Sequence, residues 1–108
     1  MNILIITKDS DLNKAIRIAL NIHAMQSIII NELDRVLEAL RYEYVDIVII
    51  READFPDKFE IITAISQKTR VICITNAPVT MKGRLFLLKE PFDYTDLLNV
   101  IFACYKDV

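Results

Sequence analysis

The sequence of 108 residues contains no tryptophan and only one glycine, Gly83. Phosphate-binding loops of the Rossmann and P-loop types need two or more glycines at fixed spacing, so both kinds of loop are excluded. An excess of basic residues is also lacking, because 13 lysines and arginines stand against 15 aspartates and glutamates, for a net charge of −2. The chain therefore lacks the excess of positive charge that is typical of proteins that bind DNA or RNA, and we expect no direct contact with nucleic acid.

Cysteine is scarce as well. Cys73 and Cys104 lie in separate apolar runs and form neither a Cys-x-x-Cys motif nor a cluster with His23, the one histidine. This pattern favours buried thiols in a reducing compartment. No apolar run approaches the about 20 residues of a membrane helix, and Lys8 and Asp9 end the first run too early for a signal peptide. We expect a cytoplasmic protein that makes no contact with a membrane.

Hydrophobic residues, by contrast, make up 54% of the chain and charged residues 26%. This composition and length predict a single domain over residues 1–108. Short apolar runs, most of them rich in isoleucine and valine, predict five strands: Ile3–Thr7, Gln26–Ile30, Asp46–Ile50, Val71–Thr75 and Leu85–Leu88. Runs without polar alternation suit strands with both faces buried, which indicates a parallel sheet covered by helices.

Apolar residues recur at helical spacing in the segments between and after these runs. The four stripes begin at Leu12, Leu33, Phe59 and Leu97. Ser10 and Asn31 are predicted as N-caps of the first two helices, and the segment Asp93–Asp96 resembles a capping box at the start of the last. Alternation of strands and helices predicts an α/β, flavodoxin-like (CheY-like) five-stranded sheet of order 2-1-3-4-5.

The link between the fourth and fifth predicted strands is short. It runs over residues 76–84, whereas a parallel crossover usually needs ten or more residues and a helix. Either the helix between strands 4 and 5 is shortened or missing, or the fifth strand pairs differently. In sheets of this kind the functional crevice lies at the carboxyl ends of the strands, so the residues that follow each strand are the candidates for function.

At these strand ends the chain resembles response regulator receiver domains, the phosphoacceptor modules of two-component signalling. The segments that carry the resemblance span nearly the whole chain: Asn2–Leu12, Val45–Ile50 with Phe55-Pro56, Val71–Thr75 and Phe86–Asp93. The resemblance implies a Mg²⁺-binding acid pair after the first strand and a phosphoacceptor Asp at the end of the third. It also implies that Thr75 is the switch hydroxyl, that Phe86 is the switch aromatic residue and that Lys89 is the invariant lysine of the family.

Departures from the family pattern fall in the pocket itself. Thr7 and Lys8 stand where the acid pair is expected, and only Asp9 is acidic. Counting forward from the third strand places Arg51 at the phosphoacceptor position, and counting back from Pro56 places Glu52 there. We predict that the Lys8 ammonium lies within ion-pairing reach of Glu52 or Asp9 and fills the metal position.

The predicted pocket is therefore a degenerate one, made of Thr7, Lys8, Asp9, Arg51, Glu52, Thr75 and Lys89. A fixed ammonium competes with a divalent cation for the same carboxylates, and Arg51 cannot serve as the nucleophile. We predict no catalytic residue, no metal, no cofactor and no enzymatic activity. Two alternatives stay open: an unconventional phosphoacceptor that uses Glu52 or Asp54, and a small-molecule sensor at the carboxyl ends of the strands.

The leading hypothesis is a pseudo-receiver that acts through protein contacts in signal transduction or transcriptional regulation. The resemblance implies that such a domain can form the N-terminal part of a longer regulator. The partner is predicted to be another protein or a second copy, with a homodimer formed through the fifth strand and the last helix. The predicted switch and interface residues are Phe86, Val100, Ile101 and Tyr105.

Overall fold

A computed structural model describes residues 1–42, 44–76 and 85–106. These residues form five strands and four α-helices: β1 (Asn2–Ile6), α1 (Ser10–Ile22), β2 (Gln26–Ile29), α2 (Asp34–Tyr42), β3 (Ile47–Arg51), α3 (Phe59–Lys68), β4 (Arg70–Thr75), β5 (Leu85–Lys89) and α4 (Tyr94–Lys106). One 3-10 turn, Glu52–Asp54, follows β3 directly.

All neighbouring strands are parallel, and their order is β2-β1-β3-β4-β5. The predicted sheet is therefore confirmed, and β5 pairs with β4 as expected. Within that pairing Thr75 is in register with Lys89. The expected shortening or loss of a helix between β4 and β5 concerns residues 77–84, which lie outside the described residues.

The central strands β1, β3 and β4 are buried on both faces, which explains their unbroken apolar runs. Alternate strand residues such as Ile5, Ile49 and Ile74 pack under α1 and α4. The intervening residues, among them Leu4 and Cys73, pack under α2 and α3. Each face thus has its own hydrophobic core, and the carboxyl ends of β1, β3, β4 and β5 meet at one edge of the sheet.

The ends of α1 and α4 next to that edge are held by aspartates. Asp9, rather than the predicted Ser10, caps α1, since its Oδ1 accepts hydrogen bonds from the amides of Asp11 and Leu12 at 3.0 and 3.1 Å. At α4 the predicted capping box is confirmed: Asp93 Oδ1 accepts from the Asp96 amide at 2.8 Å, and Asp96 Oδ2 accepts from the Asp93 amide at 3.1 Å.

One predicted interface residue belongs to the core instead. The Ile101 side chain is 0% exposed and packs in the cluster beneath α1 and α4, because its position on α4 faces the sheet. Val100 and Phe86 are half-buried and pack against the same cluster. The side chain of Tyr105 lies outside the described part of the structure.

None of the helices described is long and apolar enough to cross a membrane.

Candidate functional site: a charged pocket at the strand ends

Arg51, the last residue of β3, organises the polar groups at the carboxyl edge of the sheet. Its guanidinium binds Glu90 through two hydrogen bonds, from Nε to Oε1 at 2.6 Å and from Nη2 to Oε2 at 3.2 Å. A third bond runs from Nη1 to Asp54 Oδ1 at 3.1 Å. Two-point pairing of this kind is among the stronger polar interactions in proteins, since both charges and geometry match.

These groups are largely shielded from solvent. The side chain of Arg51 is 26% exposed, and those of Glu90 and Asp54 are 18% and 12% exposed. The hydrogen bond to Glu90, with further charge attraction from Glu90 and Asp54, raises the pKa of Arg51 above its ordinary value against the opposing effect of burial. The guanidinium is therefore a permanent positive charge inside the site.

Asp54 also ties the end of β1 to this arrangement. Its second oxygen, Oδ2, accepts a hydrogen bond from the backbone amide of Lys8 at 2.8 Å. One carboxylate thus holds both the guanidinium after β3 and the backbone after β1. A metal ion that bound the Asp54 carboxylate would have to displace both the Arg51 guanidinium and the Lys8 amide.

Glu52 and Thr75 form the other side of the site. The Thr75 hydroxyl donates a hydrogen bond to Glu52 Oε2, which joins the end of β4 to the 3-10 turn after β3. Thr75 is buried and Glu52 half-buried. Below them the pKa of the Cys73 thiol is raised to about 12, first by burial and then by the negative charge of Glu52. We call Arg51, Glu52, Asp54, Thr75 and Glu90 together the charged pocket.

Lys8 does not take the predicted place in this pocket. Its side chain is exposed, and its ammonium lies 5.2 Å from the centroid of the Phe55 ring, a cation–π contact. The ion pairs of the charged pocket are those of Arg51, and no ion pair between described residues joins Lys8 to Glu52 or Asp9. The prediction for Lys8 is wrong. Both predicted partners are engaged elsewhere, because the Asp9 carboxylate caps α1 and Glu52 accepts the Thr75 hydroxyl.

Thr7 and Asp9 make their side-chain hydrogen bonds outside the charged pocket. Thr7 is fully buried and donates a hydrogen bond to Asn13 Oδ1 at 2.9 Å, and Asn13 Nδ2 donates back to the Thr7 carbonyl at 3.2 Å. This pair fixes the end of β1 to α1. The carboxylate of Asp9 is engaged by the helix cap of α1.

Lys89 is exposed at the end of β5, and the side chain that enters the pocket after this strand is Glu90. The resemblance to receivers placed Lys89 in the pocket and gave Glu90 no role. The missed signal was the pair of unusual charges itself: an arginine near the phosphoacceptor position and a glutamate directly before Pro91. Opposite charges at two neighbouring strand ends are positioned to pair.

Among the residues that the structure describes, no group of three or more His, Cys, Asp or Glu side chains is arranged to hold a metal ion.

The fold is that of receiver domains. The chain resembles the signal receiver domain of an HD domain-containing protein from Pseudomonas fluorescens Pf-5, with a TM-score of 0.81, 19% identity and coverage of 97% of this chain and 94% of that one. It also resembles the chemotaxis response regulator CheY4 of Vibrio cholerae, with a TM-score of 0.80, 13% identity and coverage of 95% and 97%.

A third similar structure is NtrX from Brucella abortus, with a TM-score of 0.80 and 15% identity; 97% of this chain matches 26% of that one. No family model matches the sequence, and no curated protein sequence matches it. At these identities the likeness establishes a CheY-like flavodoxin fold.

Proposed function

We propose that this chain is a pseudo-receiver: a signalling domain that is not phosphorylated and acts through contacts with other proteins. The observation that carries the proposal is the Arg51 guanidinium held between Glu90 and Asp54. In this proposal residues 1–108 form one cytoplasmic, non-enzymatic receiver-like domain, which serves as part of a longer regulator in two-component signalling or transcriptional control.

The charges in the pocket are reversed relative to what the receiver resemblance implies. A receiver places a carboxylate at the end of β3 and a lysine after β5; here Arg51 ends β3 and Glu90 follows β5. The two still pair, so the strand ends remain tied together without a phosphoryl group. An arginine cannot act as the phosphoacceptor, and phosphoryl transfer depends on positioned positive charge around the transferred group.

Binding of Mg²⁺ is opposed by the same guanidinium. Two unit charges about 4 Å apart interact by roughly 4 kcal/mol at an effective dielectric constant of 20, so a fixed cation strongly disfavours a second one beside it. The fixed cation is already bonded to two of the pocket's carboxylates, and Glu52 already accepts the hydroxyl of Thr75. The ligands that Mg²⁺ prefers are thus engaged by the protein itself.

Amide NMR spectra recorded with increasing Mg²⁺, with and without beryllofluoride, test this proposal. We expect no saturable shift at Glu52, Asp54 or Thr75 in the wild-type protein. In Arg51→Gln the freed carboxylates should bind Mg²⁺ at least about tenfold more tightly than in the wild type, because the competing charge has gone. Arg41→Gln removes the same charge from an exposed site on α2 and should not alter the affinity.

A saturable, Mg²⁺-dependent shift by beryllofluoride in the wild-type protein would contradict the proposal. It would favour the alternative of an unconventional phosphoacceptor at Glu52 or Asp54. Labelling by a small phosphodonor, followed by mass spectrometry of the modified peptide, then identifies which carboxylate is the acceptor.

The proposed partner is another protein or a second copy, which contacts β5 and α4. Phe86 and Val100 are the described residues of this predicted surface that are not fully buried, while Ile101 belongs to the core. Sedimentation equilibrium of the purified chain distinguishes self-association from a requirement for a different partner.

A further inference from the structure

A cavity of about 490 Å³ lies between α1 and α4, on the other side of Arg51 and Glu90 from Glu52 and Thr75. Its walls are mostly apolar: Leu12, Ala15, Ile16 and Ala19 on α1, and Pro91, Phe92, Tyr94 and Leu97 at the start of α4. Ala15 and Ala19 follow each other by one helical turn, so α1 is shallow at these two positions, beside the larger Leu12 and Ile16. The volume falls in the range of about 300–1,000 Å³ that small-molecule sites occupy.

The polar end of this cavity is acidic. Its charged lining residues are Asp9, Glu90, Asp93 and Arg51, so three carboxylates and one guanidinium leave a formal charge of −2. Arg51 is already bonded to Glu90 and Asp54. An anionic ligand would therefore have to break an existing ion pair in order to reach a positive group.

A cationic group, by contrast, meets a net negative charge even with Arg51 counted, and the charge of Arg51 is already balanced by Glu90 and Asp54. Asp9 and Asp93 each direct only one carboxylate oxygen to the amides of their helix caps. Phe92 and Tyr94 add aromatic rings to the same wall, and aromatic faces attract cations as well as planar apolar groups.

We propose that the α1–α4 cavity is a binding site for a small molecule that combines a planar apolar body with a protonated amine. The body packs against Ala15, Ala19 and Leu97, and the amine lies at the carboxylate end. This site lies beside the charged pocket, and its existence does not depend on whether that pocket accepts a phosphoryl group.

Three indole compounds that differ in charge test the proposal directly. Because the chain has no tryptophan, the fluorescence of an added indole reports on the ligand alone. Tryptamine carries an amine, 3-methylindole is neutral and indole-3-propionate is an anion. We expect tryptamine to bind saturably, with an affinity about three- to tenfold above that of 3-methylindole, because charge pairs that are partly exposed to solvent contribute modest energies. The affinity of the anion indole-3-propionate should be lower than that of 3-methylindole.

Two matched alanine variants locate the site. Ala15 and Ala103 are both exposed helical alanines, but only Ala15 lines the cavity. Ala15→Phe should weaken tryptamine binding at least about tenfold by filling the space, and Ala103→Phe should leave it unchanged. Equal effects of the two variants, or no saturable binding of tryptamine to the wild-type protein, would overturn the proposal.

The charge variant Asp9→Asn/Asp93→Asn supplies a second, independent measurement. Asparagine caps helices about as well as aspartate, so both helix caps are retained while two negative charges are removed. Tryptamine affinity should fall about three- to tenfold and 3-methylindole affinity should stay the same. Loss of the preference for tryptamine supports the cation site, and an unchanged preference rejects it.

Sedimentation equilibrium tests whether a second copy of the chain, rather than a small molecule, occupies the cavity. If the wild-type protein is a dimer that Ala15→Phe dissociates and Ala103→Phe does not, the cavity is an interface between copies of the chain and the small-molecule proposal is wrong.

Discussion

The charged pocket and the α1–α4 cavity lie side by side at one edge of the sheet and share Arg51 and Glu90, yet they are built in opposite ways. In the charged pocket, long polar side chains reach across the strand ends and satisfy one another. In the cavity, two alanines leave space that no neighbouring side chain fills. The comparison shows that the same edge holds a region whose charged groups are paired with one another and a mostly apolar region whose carboxylates outnumber its one guanidinium.

This difference follows from side-chain reach. Arg51, Asp54 and Glu90 have polar ends that can meet even though their backbones belong to different elements. Ala15 and Ala19 project only a methyl group from α1, so the gap between α1 and α4 persists. Substitutions in the charged pocket should therefore change stability, whereas substitution of an exposed cavity residue such as Ala15 should change stability little and ligand binding more.

The largest effect is expected from Arg51→Gln. It removes the shared partner of two carboxylates that are less than one-fifth exposed, and buried charges without partners are costly. We expect the free energy of unfolding in urea to fall by about 1–3 kcal/mol. Arg41→Gln, at an exposed position of α2, should change it by less than about 0.5 kcal/mol.

A double-mutant cycle sharpens this prediction. If Arg51 and Glu90 act as a pair, Arg51→Gln/Glu90→Gln should be less destabilised than the sum of the two single variants. Simple additivity would show that the ion pair does not hold the charged pocket together.

The second effect concerns pH and the thiol beneath the charged pocket. Burial and the charge of Glu52 raise the pKa of Cys73 from 9.0 to about 12, so the folded protein keeps this proton when the unfolded chain has lost it. Stability contributed by Cys73 is therefore fully present below pH 9 and is lost as the pH rises toward 12. Compared with Cys73→Ala, the wild-type protein should lose unfolding free energy over this pH interval.

Urea titrations of both proteins across that interval provide the measurement, and the difference between them cancels the titration of tyrosines and lysines. Cys73→Ala should be offset from the wild type by a constant amount below pH 9. Identical pH slopes throughout would mean that the thiol is not shielded as the structure indicates.

The smallest effect is expected beside the cavity. Tyr94 forms a hydrogen bond of 2.6 Å between its hydroxyl oxygen and His23 Nε2, and the two rings stack at a centroid distance of 6.0 Å. Both residues are exposed, so Tyr94→Phe should cost only about 0.5 kcal/mol or less in unfolding free energy. Tyr42→Phe is the matched control, since Tyr42 is also exposed.

If Tyr94→Phe lowered the free energy of unfolding by more than about 1.5 kcal/mol, this contact would stabilise the protein as much as the charged pocket does. The contrast between the two regions would then be wrong.

Much of the fold was predictable from local patterns. The five apolar runs and the four helical stripes correspond to the observed strands and helices, and the capping box at Asp93 is present. The N-cap of α1 was assigned one residue too late because aspartate and serine are both good caps and stand side by side at Asp9 and Ser10.

The candidate site was only partly predictable. Arg51, Glu52 and Thr75 were placed in the pocket from their positions at the strand ends. In the structure Thr75 bonds to Glu52, while Arg51 pairs with Asp54 and Glu90. Lys8 and Lys89 were assigned by the same reasoning, and both side chains are exposed. Spacing identifies which residues lie near an edge, but it does not determine which of two adjacent side chains turns inward.

By itself, the sequence determined the framework of this protein: a parallel sheet with helices on both faces and a polar edge whose charges depart from the receiver pattern. These features follow from short-range periodicity and from the kinds of residue present. Only the tertiary structure decided that Arg51 pairs with Glu90, which lies 39 residues away, and that Ile101 faces the core. Such pairing depends on which strand ends adjoin and how far each side chain reaches, and that geometry exists only once the sheet has formed.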